Sequence, residues 1–404
     1  MRISLQGKLI IMINKWTSPR TITGDAATGT RYLRRQHIND YFWQEVEKGN
    51  HILFVAPRRV GKSSIMKDLA ENPLEGYSCI YEDIESVSTK NGFYKRLFEL
   101  IVKCLDRTNT KKAIALLGKW RKQFKITEIT KSGVKFETKE IDYEAELRNI
   151  IPELAATDTH TVIFLDEFAE VINKLNKEGR PQDAINILHT LREIRSDADF
   201  RKFTLVYAGS IGLQFVIKTI DRPKLINDLH PVKTGALDED EAAQLIRQLT
   251  QHATIQFSEA AIAYLLKKVH HLLPYYIQLM IEEIDRICRT ASRPEVTNAD
   301  IDAAFTGVLK TNKNFDDWLE RLKDYQLVHF PFINSILKSC AHKSSITVQE
   351  IYNIAGDKKF KRQEDYMDFV EELMNDGYLV EEEEHVYRFI SPFLQQFWLK
   401  KYPL

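Results

Sequence analysis

Two short stretches of this 404-residue chain carry side chains able to handle a phosphate. In FVAPRRVGKSSIM, Phe54 to Met66, a loop ends on Gly61, Lys62 and Ser63. Backbone N–H groups in such a loop, and the start of the helix after it, face an anion. The lysine reaches the outer phosphates and the hydroxyl is placed to ligate Mg²⁺. The first glycine of the usual P-loop pattern is replaced by Ala56, and Pro57, Arg58, Arg59 and Val60 fill the free positions. Close backbone approach to phosphate is needed at Gly61-Lys62, whereas position 56 ends a strand under milder φ/ψ demands. The expected cradle therefore runs from Ala56 through Ser63 and Ser64. About a hundred residues on, in TVIFLDEFAEV, the apolar run Val162–Leu165 ends in Asp166 and Glu167. A buried parallel strand delivers two such carboxylates beyond its C-terminal edge, where open α/β sheets bind ligands. Asp166 is expected to hold Mg²⁺ with Ser63, and Glu167 to polarise an attacking water. The catalytic set is Glu167, Asp166 and Lys62. The bland alternative makes Asp166 the cap of the next helix.

Positioning these groups requires a sheet. HILFVA (51–56) reads as a buried strand, and KSSIMKDLAEN from Lys62 as a helix with Ile65, Met66 and Leu69 on one side. YSCIYEDIESV is another strand, with Asp83 and Glu85 read as solvated carboxylates. FTLVYAGS ends in Ser210, a candidate contact to the γ-phosphate or its water, with a plain strand-to-turn exit as the alternative. The fold class is α/β: a P-loop parallel sheet with helices on both faces, then a helical lid and a C-terminal winged helix. The expected divisions are an N-terminal extension at 1–30, a nucleotide-binding domain at 31–232 with an insertion at about 108–140, a lid at 233–312 and the winged helix at 313–404.

Composition limits the alternatives. Fifty-seven basic residues balance fifty-seven acidic ones, so no global field draws the chain to nucleic acid or anionic lipid. The cysteines Cys79, Cys104, Cys288 and Cys340 show no metal-binding spacing, and reduced thiols in the cytoplasm are expected. The apolar run Leu9–Ile13 is far shorter than a membrane span of about 20 residues.

With these motifs in hand, the chain resembles the STAND branch of P-loop ATPases, in its compact prokaryotic form. APRRVGKSS matches that family's cradle, including the arginine pair, and FLDEF its acidic motif. RYLRRQHI matches the arginine motif, with Arg35 at the arginine position, and HLLPYYIQLM the lid segment, with Pro274 at the proline. The resemblance implies ATP or ADP with Mg²⁺ as ligands, adenine contacts from Arg35 and Pro274, and a nucleotide-governed open–closed transition used in signalling or defence. It also implies a protein partner or self-association.

Read independently, the lid begins with Asp238 as N-cap and Glu241 as its capping-box partner. The C-terminal part reads as helices followed by a hairpin around EEEEH, a pattern that invites DNA binding. Charge opposes it. Glu364, Asp365, Asp368, Glu371 and Glu372 lie on the recognition helix, and Glu381 to Glu384 at the hairpin tip would repel phosphates. The acidic face is instead expected to dock on a basic surface, such as Arg58 and Arg59 or the lysine-rich insertion. That insertion, with Trp120 and Phe124 among its basic residues, is the one candidate nucleic-acid surface. An origin-binding Orc/Cdc6-like initiator and a nucleotide-binding module without turnover stand as alternatives to the slow ATPase.

Overall fold

A computed structural model describes residues 16–130, 132–137, 141–209, 212–220, 222–311, 314–325, 329–358, 360 and 364–403. The run Leu9–Ile13 and Ser210 lie outside the described residues. The strands are β1 (Ile52–Val55), β2 (Tyr77–Asp83), β3 (Ile126–Ile129), β4 (Val134–Phe136), β5 (His160–Asp166), β6 (Phe203–Tyr207), β7 (His230–Lys233), β8 (Ile346–Thr347), β9 (Leu379–Glu383) and β10 (Val386–Phe389).

The main sheet has the order β2-β5-β6-β1-β7 and is parallel throughout. Its central strands are continuous apolar runs because both faces are covered. Successive side chains alternate between two cores. Leu53, Ile163, Leu165 and Leu205 face one, and Ile52, Phe54, Val162, Phe164 and Val206 the other. Pro231 sits in β7, an edge strand, where its missing N–H interrupts no ladder. β6 separates β1 from β5, so the cradle after β1 and the acids after β5 flank the end of β6.

The expected hairpin in the insertion is present as β3 and β4. Trp120 and Phe124, however, point inward: both are buried, and the Trp120 Nε1–H donates to Glu153 at 2.8 Å. They are unavailable for stacking on bases. Lys112, Lys119 and Arg121 pair with Asp158, Glu153 and Asp106. The helical spacing of AIALLGKW decided this, since it places the aromatics on the face that closes the core.

Beyond β7 come the helices Glu239–Thr250, Glu259–Val269, Pro274–Thr290 and Asn298–Thr311, the segment expected as the lid and called so below. The first carries the expected capping box, Asp238 accepting from the Glu241 N–H at 2.7 Å and Glu241 accepting from the Asp238 N–H at 3.2 Å. Residues 16–30 run along this lid and are tied to it: Trp16 and Ser18 both donate to Asp285 at 2.8 Å, and Arg20 N–H to the Leu249 carbonyl at 3.0 Å. The C-terminal unit packs helices Phe330–Lys343, Val348–Asp357, Glu364–Asn375 and Pro392–Lys401 around a small sheet of order β8-β10-β9. The two-residue strand β8 has no alternation long enough to be read from sequence.

Candidate nucleotide-binding site

The cradle starts where β1 ends. Ala56 is buried, and positive φ falls instead on Arg59 (69°) and Gly61 (93°). Alanine is thus free of strain at a position where the usual pattern has glycine. Gly61 is left-handed at the start of the helix Lys62–Glu71, and its carbonyl accepts the first helical bond, from Ile65 N–H at 2.9 Å. The helix N-terminus is thereby aimed at the loop's concavity. Lys62 Nζ donates to the Ala56 carbonyl at 2.7 Å, folding the side chain back across the loop. Burial pushes the Lys62 pKa down, while Glu167, Asp166 and Asp376 pull it back up.

Ser63 Oγ donates to Asp166 Oδ2 at 2.6 Å, so the two motifs meet. The same carboxylate accepts from Tyr81 Oη at 2.8 Å. Burial raises the Asp166 pKa, the Ser63 and Tyr81 hydrogen bonds lower it, and neighbouring Glu167 raises it. A hydroxyl and a carboxylate oxygen this close fit neighbouring positions around one hard cation, which takes oxygen ligands and suits Mg²⁺. Glu167 adopts a left-handed backbone (φ 57°, ψ 27°), costly for a residue with a Cβ and typical of functional sites. This turn is held by Phe168 N–H donating to the Ala208 carbonyl at 2.9 Å.

A cleft of about 330 Å³ opens over this loop, lined by Pro57 to Ile65, Glu167, Arg35, Pro274, Tyr275 and Gln278. Pro274 begins its lid helix at the first-turn position, where the missing N–H has no cost. Ala56 and Val60 belong to the apolar cluster that also contains Leu237, Leu245 and Tyr275, so cradle and lid share one core. Arg35 borders the cleft, but its guanidinium is engaged elsewhere. It donates to Thr234 Oγ1 at 2.9 Å and to the carbonyls of Gly235 and Ala236 at 2.8 and 3.1 Å, and it contacts Glu241. Arg35 thus clamps the link between β7 and the lid. Arg58 lies over the Trp318 ring at 5.2 Å and Arg59 over the Tyr275 ring at 4.3 Å.

Several residues escaped the sequence reading. Tyr81 has no local signal; it reaches Asp166 because β2 pairs with β5 in register, Asp83 beside Asp166. Gln278 follows Pro274 by one helical turn, a spacing that could have flagged it; its Oε1 accepts from Ile22 N–H at 2.8 Å. Residues 22–27 close the far side of the cleft. Tyr32 also lines it, with a buried hydroxyl lacking a hydrogen-bond partner among the described residues.

No protein-family model matches the sequence, and no curated protein matches it. Solved structures do. A Walker-type ATPase of Pyrococcus abyssi superposes with a TM-score of 0.63 at 17% identity, covering 93% of this chain and 99% of that one. The fold is that of a P-loop ATPase. The ORC2 protein of Aeropyrum pernix, in ADPNP–ADP complexes, gives a TM-score of 0.52 at 10% identity over 95% of this chain and 96% of its own. The fold shared with these two structures, a parallel α/β sheet with a helical C-terminal part, therefore spans nearly the whole chain. No helix among the described residues is long and apolar enough to cross a membrane.

A last contact joins the C-terminal unit to the cradle. The helix Glu364–Asn375 ends in the turn Asn375-Asp376-Gly377. Gly377 packs so tightly that a Cβ there would lie 3.0 Å from Pro57 Cβ and 3.1 Å from the Arg58 backbone nitrogen. Asp376 is buried, and together with Lys62 and the segment after β6 it lines a small cavity. On the same helix Glu372 accepts from Gly212 N–H at 3.2 Å, and Asp368 pairs with Lys218 at 3.0 Å. The acidic helix packs on its own chain, Asp368 against Lys218 and Glu372 against the Gly212 amide, with Asp376 at the cavity that Lys62 also lines.

Proposed function

We propose that this chain is a STAND-type ATPase switch that binds ATP with Mg²⁺ in the cleft above the cradle and hydrolyses it slowly. The observation that carries the switch is the 375–377 turn seated on the cradle, with buried Asp376 and Lys62 lining one small cavity. An anion beside this lysine occupies the electrostatic role of a nucleotide's outer phosphates, so the closed form and a bound triphosphate compete for one cation. In the open form Lys62 would turn from the Ala56 carbonyl to the phosphates, and cradle amides with the helix N-terminus would hold their charge. Ser63 and Asp166 would hold Mg²⁺, which supplies charge neutralisation on the phosphates. Glu167, at the edge of the same cleft, would orient the attacking water and take its proton. Pro274, Tyr275 and the 22–27 segment would enclose the base, and Arg35 would transmit lid position to the first helix.

The Orc-like reading draws support from the overlay along nearly the full chain, C-terminal unit included. The C-terminal unit, which we take as a winged helix, carries exposed Glu381 to Glu384 at its hairpin tip, and this favours the protein-directed switch. Calorimetry with Mg²⁺-ATP tests the site. Wild type is expected to take up one nucleotide per chain and Lys62→Ala to lose most of that affinity; equal binding by both would overturn the reading. Duplex DNA binding by the wild type would favour the initiator instead.

The docked face also predicts a pH dependence. Burial raises the Glu372 pKa to about 8, with the Gly212 amide and Lys218 pulling it down and Glu371 pushing it up. The docked form thus holds a proton that an exposed carboxylate gives up near its ordinary value of 4.5. Docking is fully favoured below that value, weakens as pH rises between the two, and is flat above about 8. Nucleotide exchange is expected to speed up between about pH 6 and 8, and Glu372→Gln to flatten the profile. An unchanged slope in Glu372→Gln would remove this carboxyl from the switch.

A further inference from the structure

We propose that His270, His271 and Glu382 form a divalent-cation site of the zinc class, tying the lid to the β9–β10 hairpin. The two histidines end the lid helix Glu259–Val269, and Glu382 lies in β9, more than a hundred residues later. One ligand atom from each lies within 4.8 Å of the others, the one such group among the described residues. His271 Nε2 sits 3.3 Å and His270 Nε2 3.9 Å from Glu382 Oε1. Nitrogen and oxygen donors at about 2.0–2.2 Å from a tetrahedral zinc lie roughly 3.4 Å apart, so these separations need only small side-chain adjustment.

Two features go beyond proximity. His271 Nε2 is shut off from solvent and has no well-aligned hydrogen bond among the described residues, although Glu382 Oε1 is only 3.3 Å away. Its lone pair or N–H is thus not aimed along the line to Glu382, as a simple His–Glu bond would require. The second feature is the backbone of His270, at φ 67°, ψ −84°, near the rare γ-turn of positive φ. This turn sets two consecutive imidazoles with centroids 4.7 Å apart, both facing the hairpin. Strain of this kind persists where the surroundings fix it. Arg388 Nε holds Glu382 Oε2 at 3.0 Å, leaving Oε1 turned toward the imidazoles. Two imidazoles and one carboxylate are a donor set suited to Zn²⁺, with water completing the tetrahedron. Because Pro274 follows His271 by three positions, a cation here would restrain the lid helix that borders the cleft.

The test uses metal-free full-length protein titrated with Zn²⁺, and with Co²⁺ as a spectroscopic substitute. Wild type is expected to bind one Zn²⁺ per chain, with tetrahedral Co²⁺ absorption, and to gain thermal stability on doing so. His271→Ala, Glu382→Gln and His270→Gly should each weaken binding at least about tenfold. Glycine suits the left-handed torsion at 270, so a loss there cannot be assigned to misfolding. Lys62→Ala should bind Zn²⁺ as wild type does, which separates this site from the nucleotide reading. No Zn²⁺ uptake by wild type, or wild-type affinity in any of the three ligand variants, would leave only a His–Glu ion pair and overturn the proposal.

Discussion

Glu167→Gln is expected to bind Mg²⁺-ATP like the wild type and to turn it over about 10²–10⁴-fold more slowly. The amide keeps the size and hydrogen-bonding reach of the carboxylate but cannot take a proton from water. It leaves the left-handed turn at 167 as it is, since glutamine gains nothing there over glutamate. The cradle, the Ser63–Asp166 contact and the apolar seam to the lid are likewise untouched. A single-turnover assay beside a binding isotherm checks both halves. Wild-type turnover in Glu167→Gln would move the general base elsewhere. Asp166→Asn should behave differently, because that carboxylate accepts from both Ser63 and Tyr81. Its replacement disturbs the cradle itself.

The second large effect is expected from Gly377→Val. At φ 82° a side chain is strained locally, at about 1–2 kcal/mol. Its Cβ would also press on Pro57 and the Arg58 backbone, and overpacking of that kind costs about 1–3 kcal/mol. The turn resists relaxation because it caps its helix, Gly377 N–H donating to Met374 O at 3.0 Å and Tyr378 N–H to Leu373 O at 2.8 Å. Much of this cost falls on the docked form, so the open population should rise about tenfold or more. Faster nucleotide exchange and higher turnover are the expected readouts, in protein whose circular dichroism shows it folded. A folded Gly377→Val with wild-type exchange would mean that the turn does not gate the cradle. Together with Glu372→Gln, this variant separates steric seating of the turn from the proton held beside it.

The parts of the candidate site were legible in the sequence because each is local. Gly61-Lys62-Ser63, the strand ending in Asp166-Glu167, the Asp238–Glu241 capping box and Pro274 at a helix start each need only a few consecutive residues. Their backbone demands are met within one turn or strand. Even Ala56 for glycine could be judged locally, since only the torsion at that position matters. Tertiary structure decided what touches those parts. Tyr81 reaches Asp166 through strand register, and Arg35 meets the Thr234 hydroxyl and the Gly235 and Ala236 carbonyls through the packing of the segment after β7. Trp120 and Phe124 turned inward because burying their rings outweighs leaving them to an absent ligand. The acidic helix was readable as a docking face, but its target was not. Asp376 and Lys62 lie more than three hundred residues apart, and no periodicity or capping signal links them. Only the packing of the C-terminal unit at the C-terminal ends of β1 and β6 brings that carboxylate to the cradle.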